Sequence, residues 1–174
     1  MVRAHRRTVL RALALSPLAG VAHAASTDAA HWSPWPASRR TPSLTLPTLD
    51  GATWDLTQVK GQAVLLNFWA TWCEPCRAEM PSLQALQKQY RDRNLLVVAV
   101  NFRESRDAVQ RYRDVLGLDF MVLRDSYGDV SLAWGVRTFP TSLLIDRAGR
   151  AQWSVQGEVD WADSAVRQKI ETRL

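Results

Sequence analysis

The sequence predicts an α/β fold in which a central mixed β-sheet is flanked by helices. Three observations carry this. Ala63–Trp69 is almost unbroken in apolar residues, as in a strand covered on both faces. Met80, Leu83, Leu86 and Tyr90 then recur at helical spacing. Near the end, Ser142–Asp146 and Ala151–Val155 flank a tight turn at Ala148-Gly149, the pattern of an antiparallel hairpin. Strands alternating with helices and closed by a hairpin and a helix fit a layered sheet-and-helix architecture.

The elements follow in chain order. Residues 1–24 are basic (Arg3, Arg6, Arg7), then apolar (Ala12–Val21), then small, ending Ala22-His23-Ala24. That is the layout of an export signal cleaved after Ala24. The apolar stretch is shorter than the ~20 residues that a membrane span needs. Arg6-Arg7-Thr8-Val9-Leu10-Arg11 also resembles a twin-arginine signal, so the expected location is periplasmic. Residues 25–42 lack periodicity and are expected to form a flexible entry segment, on which Trp32 and Trp35 could still pack against the domain.

The domain itself is expected over 43–174. A first hairpin is expected from Leu44 to Leu56 around the Asp50-Gly51 turn. The strand Ala63–Trp69, a helix over Glu74–Tyr90, a strand over Leu95–Val100, a helix over Asp107–Leu116 and a short strand over Phe120–Leu123 come next. After the late hairpin, Asp160–Leu174 reads as a final helix with Trp161, Ala165, Val166 and Ile170 apolar.

Charge excludes one class of function. The whole chain carries a formal +5, but four of its 22 Lys and Arg lie in the first 24 residues, which hold no acidic residue. The remainder has 18 basic against 17 acidic residues, and nucleic acid is not an expected partner.

The chemistry lies in the only two cysteines, Cys73 and Cys76. The stabilisation from a cross-link grows with the loop it closes, so one this short is a poor structural disulfide. Zinc would need further ligands, and only His31 remains after the leader. A c-type haem needs His directly after the second cysteine, where Arg77 stands. Redox exchange fits the spacing better. With a helix starting near Glu74, Cys73 sits at its N-terminus, where free N–H groups and the dipole favour a thiolate. Pro75 suits the first turn. Cys73 is then the attacking thiol, and Cys76, one turn on and more buried, resolves the mixed disulfide. The two thiols carry the electrons, so neither metal nor cofactor is expected.

Trp72-Cys73-Glu74-Pro75-Cys76, with Pro81 five residues on, resembles the thioredoxin active-site helix, and Phe139-Pro140-Thr141 resembles the facing cis-proline loop. The early hairpin and an inserted strand–helix around Val97–Ser105 are similar to the TlpA/ResA-type exported thioredoxins. The resemblance implies a thioredoxin-like fold and a monomeric protein disulfide reductase. It also implies a membrane thiol electron donor and clients such as apocytochrome c or copper-site assembly proteins. It places Trp72, Glu74, Pro75, Phe139 and Pro140 at the substrate, with the Phe139 backbone open to an added strand. Glu79 matches an acidic position that tunes the thiols; the competing reading is a solvated first-turn residue favoured by the dipole. Glu74, beside Cys73, should oppose thiolate formation. Trp69 and Trp72 read as core and rim aromatics rather than a ligand cage.

Two departures matter. Cytosolic thioredoxins have a buried aspartate where this chain has Asn67, so proton transfer at Cys76 must fall to Glu79 or water, or be absent. Peroxiredoxins need Thr and Pro where Ala70 and Leu66 stand, so peroxidase activity is not expected. Two rivals remain: a Dsb-like oxidant or isomerase, whose intervening dipeptide usually contains histidine, and a Cu(I) chaperone using both thiolates.

Overall fold

The computed structural model describes residues 30–174. The expected leader, with its cleavage site, lies outside them, as does the start of the entry segment. Eight strands and four helices are present among the described residues: β1 (His31–Pro34), β2 (Thr45–Pro47), β3 (Thr53–Asp55), β4 (Ala63–Trp69), α1 (Glu74–Tyr90), β5 (Leu95–Phe102), α2 (Arg106–Leu116), β6 (Met121–Asp125), α3 (Asp129–Ala133), β7 (Thr141–Ile145), β8 (Ala151–Gln156) and α4 (Ser164–Glu171). The main sheet has the order β1-β8-β7-β4-β5-β6. β4, β5 and β6 are parallel, which requires the crossovers through α1 and α2. β7, β8 and β1 run antiparallel. β2 and β3 form the predicted early hairpin, tied to the main sheet by a bridge between Thr48 and Leu123.

Every residue of β4 is buried, which is why its sequence shows no alternation. Its two faces feed two cores. Leu65 and Trp69 meet Met80 and Leu83 of α1, Val109 of α2 and Ile170 of α4. Val64, Leu66 and Phe68 meet Trp54 of the hairpin and Trp134 at the end of α3. The result is three layers: helices, mixed sheet, then hairpin with α3.

Two expectations need correction, and one element was not expected. The expected flexible entry segment contains β1, whose residues pair with β8 from His31↔Gln156 to Pro34↔Trp153. Trp32 packs edge-on against Trp153, Trp35 lies beside Trp134, and Arg39 stacks on Trp35. The last helix begins at Ser164 rather than Asp160, because Asp163 is the residue whose side chain accepts from the Ala165 and Val166 N–H groups. Buried Trp161 holds the preceding residues in a loop. α3 has no counterpart in the sequence reading: its five residues are too few to show a period.

Candidate active site

Parallel strands place ligands beyond their carboxyl ends, and the site here is built at that edge. Four loops meet: residues 70–73 after β4, 103–105 after β5, 126–128 after β6, and 137–140 entering β7, since Thr141 pairs with Phe68. Among the five large apolar side chains exposed on the described residues, Trp72, Tyr127 and Leu132 belong to these loops or the helix that follows them.

Cys73 is the N-cap of α1 and is joined to Cys76 by a disulfide, with an S–S length of 2.06 Å. The Cys76 N–H donates to the Cys73 sulfur at 3.3 Å. Pro75 has no N–H, so that of Cys76 is well placed to serve the sulfur. Cys73 is 6% exposed and Cys76 fully covered, the asymmetry expected of an attacking and a resolving thiol. Glu74 points outward and Pro75 is half-buried. Trp72 is 63% exposed and stands edge-on to Phe139 with ring centres 5.9 Å apart. The Phe139–Pro140 peptide bond is cis. The ladder of β7 starts only at Thr141, which leaves the backbone of Phe139 outside the sheet.

Glu79 lies three residues past Cys76, on the same face of α1. The solvated reading of this residue is overturned: it is 2% exposed. Its Oε1 accepts from Asn67 Nδ2 at 2.5 Å, and its Oε2 accepts from the Val159 N–H at 3.2 Å and Trp161 Nε1 at 3.3 Å. Burial pushes its pKa from 4.5 up to about 7, against the pull of those three donors, and the nearby charge of Glu158 adds to the rise. Asn67 occupies the middle of β4 and also donates to Ser142 Oγ at 2.9 Å. Its Oδ1 is buried without a partner.

Glu104 was not singled out by sequence. It accepts from the Thr71 N–H at 2.7 Å, from Thr71 Oγ1 at 2.5 Å and from Asn101 Nδ2 at 2.7 Å, pinning the loop that leads into Cys73. The two contacts to Thr71 join residues 33 positions apart, so no local spacing announces them. Val159 and Trp161, about 80 residues from Glu79, were missed for the same reason. Trp69 is buried against Tyr112, as a core aromatic should be. No cluster of three or more potential metal ligands occurs among the described residues.

A family model described as the AhpC/TSA family matches residues 37–154. Thiol-disulfide oxidoreductase ResA of Geobacillus thermodenitrificans is 34% identical over 131 residues, covering 75% of this chain and 74% of that one. The chain belongs to the ResA-type thioredoxin-like family. Thioredoxin-like protein YneN of Bacillus subtilis is 43% identical over 117 residues, 66% of this chain and 68% of that one. Among solved structures, a secreted thiol-disulfide isomerase from Corynebacterium glutamicum matches with a TM-score of 0.71 and 25% identity, covering 82% of this chain and 89% of that one. The fold is thioredoxin-like, and the activity class is thiol–disulfide oxidoreductase. No helix among the described residues is long and apolar enough to cross a membrane.

Proposed function

We propose that this chain is an exported reductase of protein disulfides. In its dithiol form, the Cys73 thiolate attacks one sulfur of a client disulfide and releases the other as a thiolate. Cys76 then gives its proton to the Glu79 carboxylate and attacks the Cys73 sulfur. The second client thiol leaves, two electrons have passed to the client, and the Cys73–Cys76 disulfide remains. A membrane thiol donor must return two electrons before the next turn. The clients would be proteins such as apocytochrome c or copper-site assembly proteins. Trp72, Glu74, Pro75, Phe139 and Pro140 form the contact rim, and the client adds an extended strand along the free Phe139 backbone. The chain works as a monomer.

The observation that carries this reading is the buried carboxylate on the Cys76 face of α1, with a pKa of about 7. Such a group can accept the proton that the covered Cys76 thiol must lose to resolve a mixed disulfide. Export is supported by the layout of residues 1–24 and by the secreted relative. The test is the reduction potential, read from tryptophan fluorescence in thiol buffers. A value near roughly −270 mV, that of thioredoxin, supports the reductase; one near roughly −120 mV, that of DsbA, makes the protein an oxidant.

A further inference from the structure

A continuous track of rings leads away from the disulfide. Trp72 meets Phe139, whose ring centre is 4.8 Å from that of Phe102, and the Arg103 guanidinium lies over Phe102 at 5.1 Å. The track ends in a cleft of about 350 Å³ between the loops after β5 and β6 and the loop entering β7. Its walls include Phe102, Arg103, Leu132, Val136, Arg137 and Phe139.

The cleft is built rather than incidental. Asp125, 2% exposed, accepts from the Gly128 N–H, the Ser131 N–H and Ser131 Oγ at 2.7–3.0 Å, which holds the loop after β6 in place. Gly128 has φ +80, and a side chain there would lie 2.6 Å from both Arg103 Nε and Phe102. Arg103 itself has φ +55, uncommon for a residue with a side chain. It is kept there by its N–H to Asp125 O at 3.0 Å and its Nε to Tyr127 O at 2.7 Å. Arg103 and Arg137 both line this space, and neither forms an ion pair among the described residues. Asp129 is the single carboxylate in the lining.

We propose that this cleft is a specificity subsite for clients that carry an acidic side chain next to the reacting cysteine. Apolar walls continuous with the Trp72–Phe139 rim would hold the stem of a glutamate or aspartate neighbour, and Arg103 and Arg137 would take its carboxylate. The excess of positive charge selects against a basic neighbour. The inference rests on the disulfide-exchange reading of the site.

Three peptides test it. They are identical except for Glu, Gln or Lys beside a single cysteine, which is capped as its neutral methyl disulfide. The reduced protein attacks the peptide sulfur and releases methanethiol, after which Cys76 frees the peptide thiol. Rates are followed by tryptophan fluorescence. The Glu peptide should react about two- to fivefold faster than the Lys peptide, the effect of one exposed charge pair. The preference should shrink in high salt, and Arg137→Glu should invert the order. Equal rates for the three peptides would overturn the subsite while leaving the oxidoreductase reading intact. If no peptide reacts and insulin disulfides also survive, the exchange reading itself fails, and the subsite fails with it.

Discussion

Glu79 makes folding stability depend on pH in a direction opposite to that of most carboxylates. Its pKa rises from 4.5 in the unfolded chain to about 7 in the fold. Below pH 4.5 it is protonated in both states and costs nothing. Between 4.5 and 7 the unfolded chain releases the proton while the folded chain keeps it, so stability falls as pH rises. Above 7 the full cost is present, about 3 kcal/mol at ~1.4 kcal/mol per pH unit. Asp50, Asp55 and Glu171 have lowered pKa values, so their stabilisation is lost only as pH falls below the ordinary carboxylate range. The window from 4.5 to 7 therefore belongs to Glu79. Glu79→Gln removes the ionisable group and keeps an acceptor for Val159 and Trp161. The Gln carbonyl can accept from Val159 and Trp161, while its NH2 donates to the orphaned Asn67 Oδ1 once that amide turns over. The assay is urea unfolding of the oxidised protein, wild type and variant, from pH 4.5 to 8. The variant's advantage should grow by about 3 kcal/mol across that range, on the order of 1–2 M in urea midpoint. An advantage that stays constant with pH would refute the argument.

Cys76→Ala should accumulate mixed disulfides with client proteins through Cys73, visible as adducts on non-reducing gels, whereas a second change of Cys73→Ala should abolish them. If no adduct forms in an extract of exported proteins, transfer to clients does not occur. Gly128→Ala should cost about 1–3 kcal/mol, since the new Cβ meets Arg103 and Phe102 at a left-handed backbone position. An unchanged thermal midpoint would mean that the cleft floor is not closely packed.

Legibility from sequence followed the range of the interactions. β4 and α1 showed themselves through their own residues: seven buried positions in a row, then an apolar stripe ending at Tyr90. The cysteines were legible because their chemistry is local, and the 139–140 loop through its resemblance to the loop that faces the active-site helix in thioredoxins. β1 was not. It has four residues, ends in proline, and owes its place to β8, more than a hundred residues away. The final helix was placed too early because Asp160 and Asp163 both begin capping turns. The choice between them is made by Trp161, which is fully buried and donates to Glu79. Glu79 itself could be read either way from its position on α1. Its partners Val159 and Trp161 converge only in three dimensions, and burial settled the matter.

The pairing of Asn67 with Glu79 gives a physical reason for moving the acid off the strand. On β4 a carboxylate would have been fixed by backbone geometry, with Ser142 as its neighbour across the sheet. On α1 it shares a face with Cys76, about one turn away. Asn67 can then adapt to either protonation state. Its Nδ2 donates to the charged carboxylate, as observed at 2.5 Å, and its unused Oδ1 can accept from the protonated form after the amide turns over. Ser142 Oγ can serve as donor or acceptor, so it loses nothing in the exchange. A second aspartate at position 67 would instead place two carboxylates in contact, and only one could ionise near neutral pH. A neutral amide leaves Glu79 the lone acid at this spot, with a pKa of about 7, the value that the proposed proton exchange with Cys76 requires.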